Sequence, residues 1–245
     1  MKQKTLLILG ARSEVAQSIA ELFGRNGFDV LLAARNADKL SSLLADLQIR
    51  TGGNFQSVEF DLLHTQGHLD FYNALPARPD VVVCVVGLLG NQQEAEQDYG
   101  HARLIIESNF SGVVSILHVV AADFEKRRAG HILAIGSVAG DRGRQSNYVY
   151  GAAKAGLATF LSGLRNRLHN SKVKVSTIKP GFIRTRMTEG MKLPPFITAE
   201  PIEVAKAVYM AYVDQKNVVY VLWPWRYIML IIKSIPEFIF KKLKL

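Results

Sequence analysis

The chain has 245 residues, 49% of them hydrophobic, and a formal net charge of +9. That length and apolar share exclude a disordered chain and support one domain with a substantial core. The positive charge forms no stripe interleaved with aromatics, which argues against nucleic acid and leaves an anionic substrate, an anionic cofactor or an acidic membrane surface.

In chain order, the opening MKQKTLLILGAR has positive residues, but its apolar run Leu6 to Leu9 is too short for a signal peptide. No stretch approaches the roughly 20 apolar residues of a spanning helix, so a cytoplasmic protein is expected. Strands are predicted at 5–9, 29–33, 54–59, 80–86, 131–135, 174–178 and 218–221 from short β-branched runs. Helices are predicted at 14–26, 37–50, 66–74, 101–128, 150–170 and 201–214. Uninterrupted apolar strands such as VVVCVV suit a sheet covered on both faces, where the single Cys84 reads as a buried strand residue. The alternation predicts a single α/β domain over 1–245, a Rossmann-type doubly wound parallel sheet of seven strands with helices on both faces. His64 and His68 are four apart, but Gly67 lies between them and no third ligand is evident, so no metal site is expected.

Ligands of such sheets bind beyond the carboxyl ends of the strands. Gly10, Arg35, Asp61, Gly87, Ser137 and the Pro180-Gly181 pair all fall at such ends. Gly10 permits a tight turn into a helix opening at about Ser13, whose amides and partial positive charge suit a pyrophosphate. The second and third glycines of G-x-G-x-x-G are missing, with Glu14 and Ala16 in their places. Glu14 and Val15 therefore line the cofactor turn with the Glu14 carboxylate directed away from phosphate. The second strand ends in Ala33-Ala34-Arg35, with no carboxylate for a ribose 2′-hydroxyl. A guanidinium there, joined by Arg12, suits a 2′-phosphate, so NADPH is the expected cofactor.

Tyr150 and Lys154 enclose YGAAK, and Ser137 lies thirteen residues upstream in IGSVAG. On a helix, Tyr150 and Lys154 share a face. A phenol of pKa about 10 is a poor acid–base group at neutral pH, and a neighbouring ammonium is expected to lower it. The bland alternative is that Tyr150 packs and Lys154 is solvated.

Together these segments resemble the short-chain dehydrogenase/reductase family over the whole chain. The resemblance implies roles by position. Asp61, with Leu62 beside it, takes the adenine amino group, and Gly87 closes the fourth-strand motif, here CVVG where the family usually has NNAG. Asn109 in ESNFSG matches the asparagine that holds a proton-relay water. Ser137, Tyr150 and Lys154 match the catalytic serine, tyrosine and lysine, with Lys154 also holding the nicotinamide ribose. In PGFIRT, Pro180, Gly181, Ile183 and Thr185 stand beside the nicotinamide carboxamide. Tyr148 has no lysine four residues on and is expected only to line the pocket. The family implies a homo-oligomer, dimer or tetramer.

A narrower similarity is to the decaprenylphosphoryl 2-keto-ribose reductases of cell-envelope biosynthesis, carried by GLLG, NYVYGAAKAG, PGFIRTRM and the tail RYIMLIIKSIPEFIFKKLKL. It implies a polyprenyl-phosphate keto-sugar substrate, produced by a flavin oxidase partner. The tail, from about 223 to 245, sets Phe238, Ile239 and Phe240 among Lys241, Lys242 and Lys244, which suits an anionic membrane surface. Alternatively it packs on the core or in a homo-oligomer interface. Arg184, Arg186 and Lys192 are candidates to face a phosphate. A soluble acyl or carbonyl ketoreductase, and a non-catalytic dinucleotide-binding regulator, are the competing functions.

Overall fold

The computed structural model describes residues 3–243. Seven apolar segments pair in parallel: β1 (Lys4–Leu9), β2 (Phe28–Ala34), β3 (Phe55–Glu59), β4 (Val81–Cys84), β5 (His131–Ile135), β6 (Lys174–Lys179) and β7 (Val218–Tyr220). Their order is 3-2-1-4-5-6-7, so the direction of strand addition reverses between β1 and β4. At that switch point Leu9 stands in register with Cys84, and the crevice beyond them is where a ligand finds room.

Strand periodicity of two splits the core. Leu6, Ile8, Val30 and Leu32 face one side, while Leu7, Leu9, Leu31 and Ala33 face the other. The first side is covered by α1 (Glu14–Arg25) and α2 (Ser41–Thr51). The other is covered by α3 (His68–Asn73) and by a helical run that follows α4 (Gln92–Gln97). That run comprises α5 (Tyr99–Ile106), a π-helical turn at Glu107–Ser111 and α6 (Gly112–Arg127). It is long and apolar enough to cross a membrane, contrary to the expectation from sequence. Its Val113, Ile116, Leu117 and Val120 are nevertheless fully buried against the sheet, as in a core helix. The long α7 (Tyr148–Leu168) packs beside it, and α8 (Pro201–Val213) joins α1 on the first side.

The predicted elements recur within a few residues, with three additions. The sequence reading missed α4, because GNQQEAEQDYG offers only Ala95 to a buried face. A short parallel pair, Phe182–Ile183 with Thr198–Ala199, lies outside the main sheet. The tail forms α9 (Pro224–Ser234) and α10 (Glu237–Phe240).

Part of the tail packs on the core. Trp225 and Met229 are buried beside Val138, and the Trp225 indole donates to the Ile197 carbonyl at 2.9 Å. Arg142 donates to the carbonyls of Ile232 and Ile235 at 2.7 and 2.6 Å, pairs with Glu237 and lies over the Phe240 ring. Trp223, Tyr227, Leu230, Ile231 and Phe238 remain exposed, as do Lys233, Lys241 and Lys242. Lys244 is outside the described residues.

The loop after β5 lies directly on α7. A Cβ on Gly140 would stand 2.7 Å from the Ala155 nitrogen, and one on Gly151 would stand 2.9 Å from the Ala139 oxygen. At each approach a glycine on one element lies against the backbone of the other. Replacing Gly140 by valine should lower stability by about 1–3 kcal/mol, read from denaturant unfolding, because backbone must move to admit it. An unchanged midpoint would show that the contact yields freely.

Candidate active site

β5 delivers Ser137 in extended backbone at the cap of a 3₁₀ turn, where Oγ accepts from the Ala139 amide at 3.1 Å. The hydroxyl proton is left for another acceptor. Tyr150 occupies the first turn of α7, and Lys154 follows one turn later on the same face. Lys154 is only 2% exposed, donates through Nζ to the Ile135 carbonyl at 3.1 Å, and stands 5.7 Å from the Tyr150 ring centroid. Helix spacing and the Gly140 contact therefore bring all three residues onto one wall of a single cavity of about 930 Å³.

Burial pushes the Tyr150 phenol up to about 12, with the Ser137 hydroxyl pulling the other way. Burial also lowers Lys154 to about 8, opposed by Cys84. The expectation that Lys154 lowers the tyrosine pKa is not met in this state of the chain. The ammonium is engaged with Ile135 and lies against the ring, while burial dominates at the hydroxyl. Tyr150 consequently carries its proton at neutral pH, as a proton donor must.

Asn109 sits in the π-helical turn, fully buried. Its Nδ2 donates to the Leu88 and Ile105 carbonyls at 2.6 and 2.8 Å, and Oδ1 accepts from the Leu88 amide at 3.2 Å. The side chain thus braces the loop after β4, the job left open by CVVG, and Oδ1 keeps a second lone pair. At Gly87 in the same loop a Cβ would approach Asn109 Oδ1 to 3.1 Å and Lys154 Nζ to 3.4 Å.

The other end of the cavity runs under the N-terminus of α1. Gly10 has φ +95°, and a Cβ there would meet Val86 at 3.0 Å, so the close turn needs glycine. Ser13 caps α1, accepting from the Ala16 amide at 3.1 Å, and Ser13, Glu14 and Val15 line the cavity. Glu14 accepts from Arg186 Nε at 3.0 Å. Partial burial works against the carboxylate, yet hydrogen bonds from its own amide and from Arg186 outweigh it and hold its pKa below the usual range. Pro180, Gly181, Ile183 and Thr185 form the adjoining wall, with Gly181 pressed against the Trp225 indole.

Other sequence candidates stand outside this lining. Arg12 joins Lys39 and Arg186 in a neighbouring surface cavity of about 400 Å³. Arg35 is exposed at the end of β2, where Glu59 accepts the Asn36 and Ala37 amides at 3.0 and 2.9 Å. Asp61 accepts from the Leu63 amide at 3.0 Å, with Leu62 buried beside it. His68 is buried and bonded to Ser115 at 2.9 Å. Tyr148 is exposed and does not line the cavity, contrary to expectation. Arg184 and Arg186 are ion-paired to Glu200 and Glu14, at 2.8 and 3.0 Å, and Lys192 is exposed; none of the three is in the cavity lining.

The sequence reading missed Arg144, which lines the cavity from the loop between Ser137 and Tyr150. Nothing in DRGRQSN distinguishes it from a solvated loop charge. It also missed Gln92, Gln93 and Glu96 of α4, although Asn91 accepts the Gln93 and Glu94 amides as a helix cap and could have signalled that start. The side-chain-free approaches at Gly10 and Gly87, the capped helix start and a cleft continuous as far as Tyr150 fit a dinucleotide bound in extended form.

The sequence profile of the short chain dehydrogenase family matches residues 4–193. An uncharacterized oxidoreductase of Mycobacterium tuberculosis (strain H37Rv) is 35% identical over 241 residues, 97% of this chain and 96% of that protein. A probable NADP-dependent dehydrogenase of Haemophilus influenzae is 30% identical over 185 residues, 74% and 72% of the two chains. A short-chain dehydrogenase from Sphingobium yanoikuyae, solved in complex with NADPH, shares the fold with TM-score 0.82 at 24% identity, covering 96% of this chain and 97% of its own. The chain belongs to the short-chain dehydrogenase/reductase family and is an oxidoreductase of that family.

Proposed function

We propose that this chain reduces a ketone with NADPH, and that the ketone is a 2-keto sugar on a polyprenyl phosphate, keto-ribose becoming arabinose. The carrying observation is the shape of one cavity. Ser137, Tyr150 and Lys154 share a wall, and Phe182, Met187, Met191 and Trp225 extend it as an apolar surface towards α9. A polar head and an apolar chain would each find matching lining.

NADPH, when bound, supplies a hydride to the carbonyl carbon. The chain's residues handle the oxygen. Ser137 donates a hydrogen bond to it, and Tyr150 gives it a proton as charge develops. The Lys154 ammonium, held by the Ile135 carbonyl, stands beside the Tyr150 ring. Ser13, Gly87, Lys154 and Thr185 would hold the dinucleotide, with Arg12 and Arg35 at its 2′-phosphate and Asp61 with Leu62 at its adenine. The NADP named for the Haemophilus relative supports that choice. Asn109 contributes by fixing Gly87.

The exposed side of α9 and α10 supports peripheral contact with an anionic membrane at its cytoplasmic face. Trp223 and Tyr227 suit the headgroup level, Leu230, Ile231 and Phe238 the acyl boundary, and Lys233, Lys241 and Lys242 the anionic heads. A homo-oligomer and a flavin oxidase partner that supplies the keto-sugar complete the proposal. The buried Trp225 and Met229 favour a second reading, a soluble carbonyl or 3-oxoacyl ketoreductase whose tail is only structural.

Tyr150→Phe should reduce kcat by about 10²–10⁴-fold while the NADPH dissociation constant stays near wild type, and wild-type kcat/KM should favour NADPH over NADH. Retained turnover in the variant would remove Tyr150 as the acid, and a preference for NADH would remove Arg12 and Arg35 from their role. Leu230→Glu with Ile231→Glu, both on the exposed side, should release the protein from phosphatidylglycerol vesicles in co-sedimentation. Equal sedimentation of variant and wild type would assign the tail to packing alone.

A further inference from the structure

The loop between Ser137 and Tyr150 carries three charges near the cavity, and two are already committed. Asp141 bonds Lys179 through Oδ1 and the Tyr220 hydroxyl through Oδ2 at 2.7 Å. Arg142 is fixed to the carbonyl end of α9 and to Glu237 at 2.9 Å. Arg144 is different. Its Nε is buried and has no hydrogen-bond partner, and its Nη2 reaches only the Met229 thioether, a weak acceptor, at 3.7 Å. Among the described residues no carboxylate pairs with it.

The acidic groups of the cavity do not supply the missing partner. Glu14 is held by Arg186 at 3.0 Å, and Glu96 accepts from Gln92 at 3.2 Å on α4. Three residues beyond Arg144, the buried Asn147 Oδ1 is also without a partner. A buried Nε–H and a buried amide oxygen without partners are each costly to the chain alone, although both residues are only half-buried. Here both line the space in front of Tyr150.

We infer that Arg144 and Asn147 form the substrate's anion site, in which the guanidinium takes a phosphate side-on and the asparagine amide takes a neighbouring sugar hydroxyl. The Nε edge of a guanidinium presents two parallel donors when Nη2 turns from a thioether to an oxygen, a geometry suited to phosphate. Arg144 touches Met229 of α9, so the phosphate would sit where the polar cavity meets the apolar wall. A phosphate joining a sugar to a lipid chain has its charge at such a junction. The inference rests on the proposed substrate class and deepens it, while the phosphate chemistry is shared by soluble sugar phosphates.

Calorimetric titration of the full chain separates these cases without requiring turnover. The probes are farnesyl phosphate, farnesol and ribose 5-phosphate. Wild type should bind farnesyl phosphate at least about tenfold tighter than farnesol, as expected for a charge-assisted contact. Arg144→Gln should remove that preference, and Arg144→Lys should keep part of it by retaining the charge without the fork. Should Arg144→Gln fail to fold, the wild-type comparison and Arg144→Lys decide alone. Equal wild-type affinity for phosphate and alcohol, or a preference untouched by the substitutions, overturns the anion site. Arg144-dependent binding of ribose 5-phosphate but not farnesyl phosphate upholds the anion site and overturns the lipid-linked substrate. Failure of the reductase reading would instead appear as Arg144-dependent binding with no NADPH oxidation on any ketone.

Discussion

The site depends on a contact between two backbones. The turn after β5 can lie on α7 because Gly140 presents no side chain to the Lys154–Ala155 backbone, nor Gly151 to that of Ala139. That approach fixes Ser137 relative to the first two turns of α7 and so sets a hydroxyl, a phenol and an ammonium on one wall. The Lys154 bond to the Ile135 carbonyl ties the helix back to the strand that carries Ser137. Local spacing alone would not do this. Tyr150 and Lys154 share a face on any helix, but Ser137 comes from another element, and the glycine contact joins them.

Burial reinforces the protonated state that a phenol already has at neutral pH. The same closeness that withdraws Tyr150 and Lys154 from water raises the phenol and lowers the ammonium. A protonated tyrosine is the right starting state for reducing a carbonyl. Beyond this wall the cavity has two characters. Its cofactor end is shaped by a helix start and by glycine turns. Its other end combines Arg144, whose buried Nε has no partner, with an apolar surface that continues into α9.

Strand and helix placement and the Ser137, Tyr150 and Lys154 constellation were legible in the sequence because each rests on local periodicity or fixed spacing, whereas the strand order came only from the fold. Less legible were features set by tertiary accounting. Arg184 and Arg186 looked like phosphate ligands until Glu200 and Glu14 were found opposite them, and nothing in the sequence tells which carboxylate will be near. Arg144 looked like an ordinary loop charge because only the fold reveals that it has no partner. Asn109 matched a motif, yet its side chain proved to be occupied by Leu88, a contact made across twenty-one residues. Glu14, in a glycine position, repels phosphate on paper, and pairing with Arg186 resolves that conflict.

The proposed reaction is reduction of a keto-sugar on a lipid phosphate in this cavity. The direct measurement is NADPH oxidation by the purified chain on addition of oxidised polyprenylphosphoryl ribose, with the product sugar resolved by configuration. Stoichiometric NADPH consumption and an arabinose-configured product are expected. No consumption with that substrate, together with steady turnover of simple ketones, would contradict it.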